Sequence, residues 1–154
     1  MASTLRENAM HQVYPWIVLL HLVCAIVFVG AVVYETLVLE PLERQVDAEA
    51  YARVESAAMR RVRGFMPFVV VLLFASGGWL FRLRCGGIAC LDTRFGHLLA
   101  LKVLLALAVL AIFARAWWAL RRGRLDGCRR RHTHRVLLAL MAGIVFLAKT
   151  MVYW

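Results

Sequence analysis

The stretch that decides the fold is VYPWIVLLHLVCAIVFVGAVVY, residues Val13–Tyr34. Three stretches of the same kind follow it, at Gly64–Phe81, Phe95–Ala114 and Val136–Trp154. Each is about 18–22 residues long, the length of an α-helix that crosses a hydrocarbon layer about 30 Å thick. Backbone polar groups in lipid must be satisfied within their own segment, so such runs form helices. The sequence therefore predicts an all-α integral membrane protein, a bundle of four transmembrane helices.

The composition leaves room for a single domain. Of the 154 residues, 63% are hydrophobic, whereas soluble domains are usually about 45–50% apolar. Outside the four apolar runs too little polar chain remains for a separate soluble domain, so we expect one domain over 1–154. We expect its transmembrane helices at about 13–39, 64–82, 95–118 and 135–153, with a cytoplasmic helical extension at about 47–63 that Asp47 caps.

The arginines predict the orientation of this bundle. Loops 1 and 3, which precede the second and fourth helices, carry thirteen arginines with their flanks, and the other side carries four. The positive-inside rule then places loops 1 and 3 in the cytoplasm of a bacterium, and loop 2 and both termini in the periplasm. The net charge of +10 is explained by these helix-end arginines, which meet anionic headgroups of the inner membrane. Nucleic acid is therefore not an expected partner.

Loop 2 carries two cysteines in the sequence CGGIAC, Cys85 and Cys90. In an oxidising periplasm this spacing is compatible with a short disulfide, and a metal-binding pair is the alternative. The sequence leaves the choice open.

Four ligating or charged residues inside the apolar runs are the candidates for function. Lys102 and Lys149 are the only formal charges there, and a charge in lipid costs at least about 2.5–3.5 kcal/mol. His21 and His97 are the only histidines there, and with the orientation above all four lie in the outer half of the membrane. The simpler readings are a cross-bundle hydrogen bond for His21, an interfacial position for His97, and lysines that snorkel to the surface.

The first helix has one stripe of interest. His21, Cys24, Phe28 and Glu35 lie within about 60° of one another on a helix of 3.6 residues per turn. His21 and Cys24 are placed to reach one metal ion, and imidazole and thiolate both suit copper. Buried cysteine more often acts as a small hydrophobic residue. We expect this stripe to face the bundle interior, because lipid would not tolerate Glu35; the simpler alternative for Glu35 is solvation at the cytoplasmic end.

The pair His132 and His134 has the spacing of a chelating motif. It lies in the arginine-rich third loop, where we expect both imidazoles to be solvated.

Several short motifs resemble the CopD-like copper-resistance membrane proteins. They are Leu20-His21-Leu22 with Phe28-Val29-Gly30, the small step Ala75-Ser76-Gly77, and the segment FGHLLALK at 95–102. The resemblance implies a four-helix core that handles copper in uptake or resistance, often with a periplasmic copper carrier. A weaker similarity to the HemJ-like membrane proteins, through the helix-1 histidine and the helix-3 lysine, implies haem b.

Three functions follow as hypotheses: copper handling, haem binding, and an accessory role without a cofactor. In the first, copper enters from the periplasm and is bound by His21, with Cys24, His97 or Met151 as further ligands. In the third, the chain is an accessory subunit without a cofactor, and the small residues Ala75, Gly77 and Gly78 let a partner helix approach closely.

The second hypothesis is a b-type haem protein. Its axial ligands would be His21 and His97, and Lys102, Lys149 and Arg94 would hold the haem propionates. It would exchange electrons with a membrane redox partner or act as a haem-dependent oxidoreductase. A homo-oligomer is compatible with each of the three. The sequence contains no nucleotide loop and no nucleophile–base pair, so hydrolytic chemistry is not expected.

Overall fold

The computed structural model describes residues 2–85, 94–122 and 127–150. Within these residues, four helices are long and apolar enough to cross a membrane, through Gln12–Leu42, Ala48–Leu83, Gly96–Ala119 and His132–Lys149. The predicted all-α four-helix membrane bundle is thereby confirmed. The helical elements in chain order are α1 (Ala2–Tyr34), a π-helical segment (Glu35–Leu39), α2 (Glu40–Leu42), α3 (Ala48–Cys85), α4 (Arg94–Arg121) and α5 (Gly127–Thr150).

Helix α3 joins the predicted extension and the second span in one continuous helix. The Asp47 Oδ1 atom accepts the Ala50 N–H at 2.8 Å, as expected for an N-cap. Pro67 lies inside the helix and removes one backbone donor without ending it. At 38 residues α3 is about 57 Å long, so it extends well beyond a hydrocarbon layer of about 30 Å.

The two ends of the bundle differ in charge. We call the end with the α1–α3 connection and the C-terminus of α4 the arginine-rich end, and the end with Cys85 the Cys85 end.

Cys85 is disulfide-bonded. Cys90, its predicted partner, and Cys128 lie outside the residues whose side chains are described.

The core is built by all four long helices. α1 packs mainly against α3, and α4 mainly against α5, while α5 also contacts α1 and the π segment. The Phe28 ring meets the Phe113 ring edge-on, at 5.7 Å between centroids, which connects α1 to α4. The buried members of this core are Phe28, Val32, Met66, Val70, Val109, Leu137 and Met141.

The outer faces of the helices are apolar. Trp16 and Phe68 are each 71% exposed and Phe146 is 70% exposed. Exposed apolar faces on this scale are expected where lipid replaces water as the solvent, so these faces contact the bilayer.

Candidate functional site

The His21 side chain is half-buried between α1 and α3. Its Nδ1 atom lies 3.1 Å from the Leu73 carbonyl oxygen and 3.1 Å from the Ser76 Oγ atom. A carbonyl oxygen only accepts, so Nδ1 carries the hydrogen in this arrangement. The Ser76 hydroxyl donates to the Leu72 carbonyl at 2.6 Å, and its oxygen therefore accepts from Nδ1. In the neutral imidazole the lone pair then resides on Nε2.

Gly77 provides the space in which the imidazole lies. A Cβ atom at this position would stand 3.0 Å from the Cε1 atom of His21 and 3.4 Å from Nδ1. Ser76, the residue before it, is only 6% exposed. Ser76 and Gly77 therefore form the surface of α3 on which the histidine of α1 packs. Gly77 therefore faces the neighbouring helix α1 inside the bundle, whereas a Cβ atom at Gly78 would meet nothing within 4 Å.

Lys102 is the predicted site residue whose charge reaches His21. It is half-buried on α4, and its positive charge has a smaller electrostatic effect on the His21 imidazole than burial and the Leu73 hydrogen bond have. The bundle thus places a cationic side chain within electrostatic range of the half-buried histidine.

Cys24 follows His21 by one helical turn and is a free thiol, 5% exposed. It belongs to the same inward face of α1 as Phe28, which is 4% exposed. Among the described residues, no group of three or more His, Cys, Asp and Glu side chains is placed to hold a metal ion.

The other predicted site residues lie away from the interior. His97 and Lys149 are both exposed, His97 near the start of α4 and Lys149 near the end of α5. The side chain of Arg94 and all of Met151 lie outside the described parts of the chain.

A second cluster lies at the arginine-rich end. The His134 Nε2 atom lies 3.1 Å from the Glu35 Oε2 atom, and the two side chains are 20% and 16% exposed. Arg135 pairs with Glu40 beside them. The expectation that His134 is solvated was therefore wrong, and Glu35 is largely buried, in agreement with the predicted inward-facing stripe rather than with solvation. His132 is exposed.

Sequence reasoning also missed the residues that hold His21. Ser76 and Gly77 were recognised only as part of a small-residue motif, and Leu73 contributes a backbone atom that no side-chain pattern reveals. A serine followed by glycine inside an apolar run was the available signal, since a hydroxyl in lipid needs a partner.

Comparison of the chain with family models, with curated proteins and with solved structures finds no significant match. The similarity to CopD-like and HemJ-like proteins therefore stays a prediction from the motifs quoted above, and the function is argued from the geometry around His21.

Proposed function

We propose that this protein binds b-type haem through the Nε2 atom of His21 and transfers electrons within the membrane. The observation that carries the proposal is the pair of contacts made by Nδ1 of His21, to the Leu73 carbonyl and the Ser76 hydroxyl. Metal-ligating histidines almost always donate their other ring N–H to such a partner, which fixes the ring and the tautomer.

The charge of Lys102 favours haem over a bare copper ion. A cation in electrostatic range of His21 repels a metal cation bound there, whereas it attracts a carboxylate. Haem carries propionate carboxylates, so Lys102 would stabilise one of them.

The donor set also fits haem. Four-helix bundles hold haem between facing helices through side chains directed into the core. Haem supplies four ligands to its own iron, so the single imidazole of His21 is enough to attach it. His97 would be the second protein ligand to the iron. Its side chain is exposed here, and the proposal therefore rests on His21.

The location follows from charge. The arginine bias supports a bacterial inner membrane protein with the arginine-rich end in the cytoplasm. His21 then lies in the periplasmic half, where the bound haem would exchange electrons with a membrane or periplasmic redox partner.

The test is an absorbance spectrum of the full chain, purified in mild detergent from haem-replete cells, before and after dithionite. We expect a Soret band, with α and β bands that sharpen on reduction. His21→Ala should abolish these bands. His132→Ala, which changes an exposed histidine at the arginine-rich end, should leave them unchanged. A colourless wild-type protein would overturn the proposal.

Copper handling is the second candidate, and the position of Cys24 favours it. A buried free thiol one turn from His21 supplies a soft second ligand on the same helix face. On this alternative, the chain would bind copper in the haem-free state, and both His21→Ala and Cys24→Ser would weaken binding.

Lys102→Met separates the two candidates. Loss of this cation should reduce haem retention, because a propionate loses its partner. The same change should tighten copper binding, because the repulsion between two cations is removed. Haem content and copper affinity, measured on one preparation of each variant, therefore move in opposite directions.

A further inference from the structure

An exposed tryptophan near the end of α4 has one arginine a turn before it, Arg115, and one directly after the helix, Arg122. Trp118 is 60% exposed, and the Arg122 Cζ atom lies 4.4 Å from the centroid of its ring. The Arg122 N–H donates to the Trp118 carbonyl oxygen at 3.1 Å, so the helical path continues to Arg122. Arg115 is exposed as well, and its spacing to Trp118 places it on the same face of the helix.

A second arginine–tryptophan pair, Arg121 with Trp117, connects the end of α4 to the core. The Arg121 Cζ atom lies 5.4 Å from the centroid of the Trp117 ring. Trp117 in turn stacks on Phe113, at 6.1 Å between centroids, and Phe113 meets Phe28 of α1. The end of α4 is therefore held by an aromatic series that begins in the centre of the bundle.

The depth of these residues corresponds to the boundary between hydrocarbon and headgroups. The apolar segment of α4 is Gly96–Ala119, so Trp118 lies at its edge and Arg122 just beyond it. This is where amphipathic rings and cations concentrate in membrane proteins. Arg115 lies one turn inside the edge, from which its long side chain reaches the headgroup level.

The α4 face that carries Arg115 continues toward the middle of the bilayer as a row of exposed apolar residues. Leu104 is 65% exposed and Leu107 is 55% exposed, and with Ala111 they continue the helical spacing of Arg115 and Trp118 toward the middle of the bilayer. One helix face thus presents an apolar track that ends in two guanidinium groups, which matches an acyl chain attached to an anionic headgroup.

The stacked geometry suits a phosphate. The Arg122 Cζ atom lies over the Trp118 ring, and a guanidinium has five N–H donors, so this contact leaves it donors for a phosphate. Guanidinium groups bind phosphate through two parallel hydrogen bonds, which lysine does not reproduce. A guanidinium held against a ring also loses less side-chain freedom on binding than a mobile one.

We propose that this face of α4 binds one anionic phospholipid, with its phosphate between Arg115 and Arg122 and an acyl chain along Leu104, Leu107 and Ala111. The proposal is independent of what His21 binds.

The experiment is native mass spectrometry of the full chain, released from detergent with added phosphatidylglycerol or phosphatidylcholine. We expect retention of one phosphatidylglycerol and little phosphatidylcholine. Arg115→Gln and Arg122→Gln should each weaken retention about fivefold, the effect of one basic residue at an anionic surface. Arg122→Lys should recover only part of the loss. Inorganic phosphate added in excess should not displace the lipid, since it lacks the acyl chain.

The matched control is Arg82→Gln on α3. Arg82 is exposed and follows the exposed Trp79, but in the described residues its guanidinium is not stacked on that ring. This variant should retain the lipid as the wild type does. Equal retention of the two lipids, full displacement by inorganic phosphate, or equal losses in Arg82→Gln and Arg122→Gln would each overturn the proposal. Thermal melting of each variant verifies that it is folded.

Discussion

The Oε2 atom of Glu35, the first residue of the π-helical segment, lies 3.1 Å from the Nε2 atom of His134 on α5. A second acid–base pair, Glu40 with Arg135, lies beside it. Together the two pairs join the π-helical segment and α2, which follow α1, to α5. A π-helical segment inserts an extra residue into a helical turn and is frequent at functional sites. Here the segment carries the Glu35 carboxylate that meets His134 of α5.

We expect a measurable coupling between Glu35 and His134. The two side chains are at least four-fifths buried, and a hydrogen bond that involves a charged group contributes about 1.5–3 kcal/mol. The single variants Glu35→Gln and His134→Gln, with the double variant, form a thermodynamic cycle. Unfolding in mixed micelles should give a coupling free energy in that range.

The exposed pair Glu49 and Arg53 is the control for this cycle. Its atoms are closer, at 2.6 Å, but its side chains are 83% and 67% exposed. Such i, i+4 pairs on a helix surface contribute only about 0.3–0.5 kcal/mol. If the coupling of Glu35 with His134 were no larger than this, the pair would have no role in joining the π-helical segment to α5.

Gly77→Ala should displace the His21 imidazole. The new Cβ atom would stand 3.0 Å from Cε1, and overpacking of this kind costs about 1–3 kcal/mol. Gly78→Ala is the matched control, because its Cβ would meet nothing within 4 Å. That variant should be neutral or up to about 1 kcal/mol more stable, since alanine favours helix. Thermal unfolding of both variants, with the absorbance of any bound haem, measures the difference. Equal behaviour would mean that His21 does not pack on Gly77.

Ser76→Ala should weaken the hold on His21 without changing its tautomer. The variant loses one of the two acceptors at Nδ1, and the Leu73 carbonyl remains at 3.1 Å. We expect a loss of stability of about 0.5–1.5 kcal/mol. Nitrogen-15 NMR of histidine-labelled protein should show Nδ1 protonated in wild type and variant, with the His21 signals assigned by their absence in His21→Ala. A proton on Nε2 instead would contradict the geometry on which the proposed function rests.

The fold was predictable because the four apolar runs determine it by length and composition alone. In lipid a run such as Val13–Tyr34 has no other structure available, since its backbone groups must pair within the segment. The cap at Asp47 was predictable for a similar reason, as the acceptor and the donor are close in sequence. These are local properties, and a single sequence contains them.

The candidate site was predictable only in part. His21 and Lys102 were identified because polar residues are costly in lipid, and the charge of Lys102 reaches His21. The partners of His21 were not identified, because the Leu73 carbonyl is a backbone atom and the space above Gly77 is a property of two packed helices. The pairing of Glu35 with His134 was not identified, because no local pattern shows which helix ends become neighbours.

Phe28→Ala tests how much the packing of a buried ring contributes to the stability of the core in lipid. Phe28 is 4% exposed and meets Phe113 edge-on. In a soluble protein the loss of such a side chain costs about 3–5 kcal/mol, part of which is transfer from water. Helices that separate within a bilayer stay in an apolar solvent, so only the lost packing remains.

We therefore expect Phe28→Ala to cost about 1–3 kcal/mol, less than the soluble value. Phe68→Ala is the matched control, because that ring is 71% exposed and lipid fills its place. Reversible unfolding of both variants in mixed micelles gives the two free energies. A larger loss for Phe68→Ala than for Phe28→Ala would show that the exposed face of α3 packs against another chain, because lipid contacts alone are replaced without such a loss.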